Sequence, residues 1–244
     1  MDSSTAFAAC EAAVRKHDPD RYFSALFAPA ATRPLMFALY AFNHELARIG
    51  EVVREPMMGE IRLQWWRETL ESARHGQPRA HDVARALAES FARVALPAAL
   101  FEAMIDARAL DSAVEAFPDD AARDAYLDAT SGNLMRLAAR ALGSGSKDDE
   151  LAREAGIAYG LTGLIRSQNL HRTRGKTFLR DVESAAKAAR EHLARAKHLP
   201  KPEGALPAFL PAALVPLYLK DTRKEVPLYR KQIALLGAAL HGQV

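Results

Sequence analysis

One stretch, Pro34 to Trp66, restricts most what this chain can become. It reads PLMFALYAFNHELARIGEVVREPMMGEIRLQWW. Leu35, Leu39, Phe42, Leu46 and Ile49 recur at spacings of three and four, the period of a helix with one buried face. Tyr40, His44, Ala47 and Glu51 form a second row at the same spacing, with polar groups that could face a cavity. A hinge falls at Arg54-Glu55-Pro56, where Pro56 suits the first turn of a second helix. Met57, Ile61, Trp65 and Trp66 are expected on the buried side of that helix.

The rest of the chain reads the same way. Alanine and leucine dominate, and no β-branched alternation appears. Ser3-Ser4-Thr5 can cap a helix to about Lys16, and Asp18-Pro19 opens another to about Phe27. Further helices are expected over Pro78 to Val94, Pro97 to Phe117, Pro118 to Leu142, Asp148 to His171, Asp181 to Leu199 and Leu228 to Leu240. Gly143-Ser144-Gly145-Ser146 is a loop between helices, and prolines break residues 200–227. The pattern predicts one all-α domain over residues 1–244, a helical bundle around a central cavity.

Charge and cysteine usage narrow the partners. A net charge of +3 with no basic run interleaved with aromatics argues against nucleic acid. The same charge permits a peripheral contact with acidic lipid. The single Cys10 fits a reducing compartment, and no apolar run reaches the length of a membrane span. No apolar signal core follows Asp2 and Glu11, so a cytoplasmic location is expected. No P-loop, dinucleotide fingerprint, zinc-ligand spacing or nucleophile elbow is present.

Several blocks occur together in order. Arg21-Tyr22-Phe23-Ser24-Ala25-Leu26-Phe27-Ala28-Pro29, Tyr40-Ala41-Phe42 and Arg174-Gly175-Lys176 with Phe178-Leu179 resemble the squalene/phytoene synthase family. GEIRLQWWRE, Gly59 to Glu68, resembles a divergent branch that includes an assembly factor for respiratory NADH dehydrogenase. The resemblance spans about Asp18 to Leu179 and implies the isoprenoid synthase fold.

It also implies a chemistry. The family joins two prenyl diphosphates head to head. Two DxxxD pairs on facing helices hold magnesium, which neutralises the leaving diphosphate. Placed on this chain, the first pair falls on Ala47 and Glu51, and the second on Ser167 and His171. One carboxylate of four remains. Asp120, Asp124 and Asp128 share the spacing, but they begin a helix outside the matched blocks and read as capping and solvated acids.

Other features stand beside these positions. Gly156, Gly160, Gly163 and Ser167 make a small-residue row that leaves room either for a close helix or for a ligand. His171 and Glu51 are expected to approach across the cavity mouth, with Arg172 or Arg174 nearby. Arg166, Arg172, Arg174 and Lys176 could hold a phosphate without metal. Tyr40, His44 and Tyr159 are candidate cavity residues.

The leading reading is a diverged, non-catalytic member that binds an isoprenoid, a lipid or a partner protein, with no metal. The resemblance adds respiratory complex subunits as partners, met from the cytoplasmic face of the inner membrane. The alternative is an active, magnesium-dependent prenyltransferase. A third reading is a metal-independent phosphate binder.

Overall fold

The structure, a computed structural model, describes residues 3–53, 55–112, 116–220, 222 and 225–244. Every regular element among them is helical. In chain order they are α1 (Ser3–His17), α2 (Pro19–Ala25), α3 (Arg33–Val52), α4 (Pro56–Arg74), α5 (Asp82–Arg93), α6 (Ala98–Arg108), α7 (Asp120–Leu127), α8 (Asn133–Ala141), α9 (Asp149–Thr173), α10 (Val182–His198), α11 (Leu206–Phe209), α12 (Val215–Lys220) and α13 (Leu228–His241). Tight 3-10 turns at Ala109–Ser112, Ser146–Asp148 and Leu210–Leu214, and a π turn at Asp128–Gly132, join some of them.

The buried face of α3 organises the core. Leu35, Leu39, Phe42, Leu46 and Ile49 are all buried, as their spacing predicts. Phe42 meets Trp66 edge-on at 5.3 Å and Phe101 at 5.5 Å, tying α3 to α4 and α6. Burying a ring of this size contributes about 1.5–3 kcal/mol. Around α3 pack α1, α5 and α8, and α9 lies against α8 and α10.

Helix starts follow local chemistry. Asp18 caps α2, accepting from the Arg21 amide at 3.1 Å, with Pro19 in the first turn. Asp119 caps α7 and Asp181 caps α10 in the same manner.

Several expectations are corrected. Met57 and Ile61 are 68% and 55% exposed, so they are not the buried side of α4. Leu63, Trp66, Leu70 and Ala73 face the core instead. Residues 78–81 are not helical, because His81 is extended and α5 begins after it. The helix from Pro97 stops at Arg108, where the next turn brings Asp111 back onto the Arg108 guanidinium at 3.1 Å. The helix expected from Pro118 to Leu142 does form, unbroken from Asp120 to Ala141, with a π turn inside it that sets Gly132 against α9. The hinge residue Arg54 lies outside the described residues.

The segment from Pro200 onward closes the back of the bundle. Asp20 of α2 is buried and accepts from the Tyr159 hydroxyl at 3.0 Å, from the Tyr218 hydroxyl, and from Lys231 Nζ at 3.1 Å. One carboxylate therefore joins α2, α9, α12 and α13. Among the described residues, no helix is long and apolar enough to cross a membrane.

Candidate functional site

A cavity of about 240 Å³ opens between the C-terminal halves of α3 and α9. Ala47, Glu51, Ser167 and His171, the four positions taken from the family pattern, all line it. Helical spacing explains why: residues four apart share a face, and these two faces meet across the cavity.

The cavity wall is rich in cations. Arg21, Arg108, Arg174 and Lys176 line it beside the His171 imidazole, against the carboxylates of Glu51 and Asp111. Arg21 is held by Asp18 at 2.7 Å and lies over the Tyr159 ring at 4.9 Å. Burial works against its charge, but Asp18 and Tyr159 outweigh burial, so the guanidinium stays protonated. Arg108 donates to Asp111 at 3.1 Å, to the Tyr126 hydroxyl at 3.1 Å and to Asn43 Oδ1 at 3.3 Å. Its Nε is buried and makes no hydrogen bond. Ser131, on the π turn, likewise lines the cavity with a buried hydroxyl that has no partner. Buried polar groups left open in this way are costly.

At the mouth, Arg174 approaches Glu51 at 4.0 Å, a partly exposed pair of little energetic weight. Lys176 reaches back to the Gly50 carbonyl at 2.9 Å and to the Asp111 carbonyl. It thereby pins the last turn of α3 to the turn after α6. Gly50 permits this approach, since a Cβ there would lie 2.7 Å from Asp111 Cβ. His171 meets Phe178 edge-on at 4.7 Å. Burial depresses its pKa, and Arg174 and Lys176 push the same way against Asp111 and Glu51.

Other residues singled out in the sequence lie elsewhere. Tyr40 is fully buried in the core, beside the cavity wall and not on it. His44 stacks on His17 at 4.5 Å, away from the cavity. The Arg166 guanidinium lies over the Tyr218 ring at 3.9 Å, and Arg172 is exposed beyond the mouth. Neither lines the cavity. Tyr159 does.

Sequence reasoning missed Arg21, Asn43, Arg108, Asp111 and Tyr126 as cavity residues. Arg21 sat inside a quoted block. Asn43 lies one turn before Ala47 on the same face, and Arg108, Asp111 and Tyr126 come together through a turn where the sequence pattern predicts helix.

These donors do not suit magnesium, which takes oxygen ligands. Glu51 faces Arg174, and Asp111 is engaged by Arg108 and Tyr126. No grouping of three or more His, Cys, Asp or Glu among the described residues is placed to hold a metal ion. The acids at spacing four on α7 and the π turn are taken too: Asp120 and Asp124 by Arg123 at 2.6 and 2.8 Å, and Asp128 by Arg136 at 2.6 Å.

An all-helical shell with a cavity between two facing helices defines the isoprenoid synthase type of fold. The crystal structure of a dehydrosqualene synthase in complex with ligand superposes with a TM-score of 0.81 at 17% identity, covering 98% of this chain and 97% of that one. Squalene synthase HpnC from Alicyclobacillus acidocaldarius gives 0.71 at 17% identity, over 98% and 95%. The sequence profile of the squalene/phytoene synthase family matches residues 14–179, and the chain belongs to that family. Among curated proteins it is similar to NADH dehydrogenase (ubiquinone) complex I, assembly factor 6, from Bos taurus. The two are 30% identical over 245 residues, which cover 88% of this chain and 73% of the relative.

Proposed function

We propose that this chain is a diverged, non-catalytic squalene/phytoene synthase-like protein. Its cavity takes the anionic head of an isoprenoid or lipid without a metal, and the protein serves the assembly of respiratory NADH dehydrogenase. The observation that carries this reading is the charge of the cavity. Arg21, Arg108, Arg174 and Lys176 stand there against Glu51 and Asp111, with Asp18 behind Arg21. A guanidinium can hold phosphate oxygens bidentately, with no divalent ion between them.

Cavity size supports the same reading. About 240 Å³ falls below the roughly 300–1,000 Å³ of ordinary small-molecule sites. Head-to-head condensation needs room for two prenyl chains side by side. A compact anionic head fits.

The assembly role rests on the likeness to assembly factor 6. We infer a position at the cytoplasmic face of the inner membrane, beside respiratory subunits and away from nucleic acid.

The test is direct. Purified chain is incubated with farnesyl diphosphate and magnesium, and diphosphate release is measured. No release is expected. Release that falls on Glu51→Gln would establish the prenyltransferase alternative. In cells, deletion of the gene should lower the amount of assembled NADH dehydrogenase. Unchanged assembly would remove that half of the proposal.

A further inference from the structure

The C-terminal helix carries a surface that the cavity does not explain. Tyr229, Ile233, Leu236 and Leu240 follow one another at spacings of four, three and four, so they form one stripe along α13. With Leu228 beside them, they are between 47% and 76% exposed. The opposite side of the helix is fixed. Leu235 is buried against Leu210, Leu214 and Tyr218, and Lys231 is paired with Asp20 at 3.1 Å. The stripe is therefore a held surface on a packed helix and not a loose tail.

Its charge is one-sided. From Leu228 to Val244 the chain has no Asp or Glu. With Lys231 paired to Asp20, Arg230 is the cation left on the outer side of α13. Arg230 lies 6.0 Å from the Tyr229 ring, at the edge of the stripe. α2, on which α13 packs, also ends in exposed Leu26 and Phe27.

We propose that the outer face of α13 lays this protein on an anionic lipid bilayer. Leu228, Tyr229, Ile233, Leu236 and Leu240 enter the boundary between headgroups and acyl chains, and Arg230 meets lipid phosphate. An interfacial helix needs an apolar stripe, a cationic edge and little acid, and all three are here. The helix has 14 residues, about 21 Å of length, which suits lying in the interface plane and not spanning it. A second copy fits less well. Isologous pairing of two α13 faces would bring Arg230 against a second helix that carries no acid to answer it. The inference deepens the peripheral location proposed above and is independent of what the cavity binds.

The test uses the full chain and vesicle flotation. One set of vesicles is phosphatidylcholine, and the other is equal parts phosphatidylcholine and phosphatidylglycerol. Wild type should float with the anionic vesicles, and less as salt rises. The double variant Ile233→Glu, Leu240→Glu should lose at least about tenfold in vesicle affinity, since two apolar side chains no longer enter the lipid. Arg230→Glu, which removes no apolar contact, should lose affinity for anionic vesicles only. Circular dichroism and melting should match wild type for Arg230→Glu, so that this variant reads the surface even where the double variant unfolds. No flotation of wild type, or flotation unchanged in Arg230→Glu and in a folded double variant, would overturn the proposal. So would a wild-type dimer in light scattering that the double variant converts to monomer. A negative result here leaves anion binding in the cavity untouched, and a failure of cavity binding leaves this surface untouched.

Discussion

The small-residue row of α9 has two halves that obey different rules. At Gly156 a Cβ would lie 2.5 Å from Gly132 Cα and 2.6 Å from its nitrogen, so two backbones touch. At Gly160 the nearest atom is the end of a side chain, Leu127 Cδ2 at 2.8 Å. At Gly163 nothing lies within 4 Å, and the position lines the cavity. A glycine row in a helix therefore has no single meaning. The N-terminal half is small because another backbone is there, and the C-terminal half borders open space.

This contrast can be broken by substitution. Gly156→Val should have the largest effect, destabilising by about 3 kcal/mol, because backbone cannot step aside. A melting curve close to wild type would contradict the backbone contact. Gly160→Ala should cost roughly 1 kcal/mol, since Leu127 can turn away and the helix gains from alanine. Gly163→Ala should have the opposite sign, stabilising by about 0.5–1 kcal/mol because the site is open and alanine favours the helix. It should also narrow the cavity and weaken binding of inorganic diphosphate. Chemical denaturation of the three variants reads the ordering, and a destabilised Gly163→Ala would show the cavity wall to be tighter than described.

A smaller effect sharpens the second half. Burial lowers the His171 pKa in the folded chain, so folding favours its neutral form. The stability linked to this group is whole above its ordinary value of 6.5 and is lost as pH falls below it. His44 is shifted in the same direction by burial and by His17, so His171→Gln should remove only part of the acid slope of melting temperature. A bound anion reverses the preference, because it favours the imidazolium. The His171 pKa followed by NMR should rise on adding inorganic diphosphate. A pKa that does not move would place the anion elsewhere.

Periodicity was enough to read most of the fold. The buried row of α3 follows from spacing alone, and the prolines at Pro19 and Pro56 mark real helix starts. The failures share a cause. Met57 and Ile61 sit at helical spacing but on a face that no element among the described residues covers. The π turn inside Pro118 to Leu142 ends at Gly132, where it meets Gly156, a residue far away in the chain. The site shows the same limit. Ala47, Glu51, Ser167 and His171 were placed by aligning motifs, and the facing helices bring them to one cavity. Arg108 and Asp111, which hold much of its charge, belong to a turn whose inward direction has no local signature.

A titration of inorganic diphosphate into the full chain, with magnesium present and then removed by a chelator, tests most directly the idea that cations have replaced paired acids in the cavity. The account predicts the same affinity in both buffers, and a loss of at least about tenfold in Arg108→Gln. Binding that appears only with magnesium, and disappears in Glu51→Gln, would contradict it.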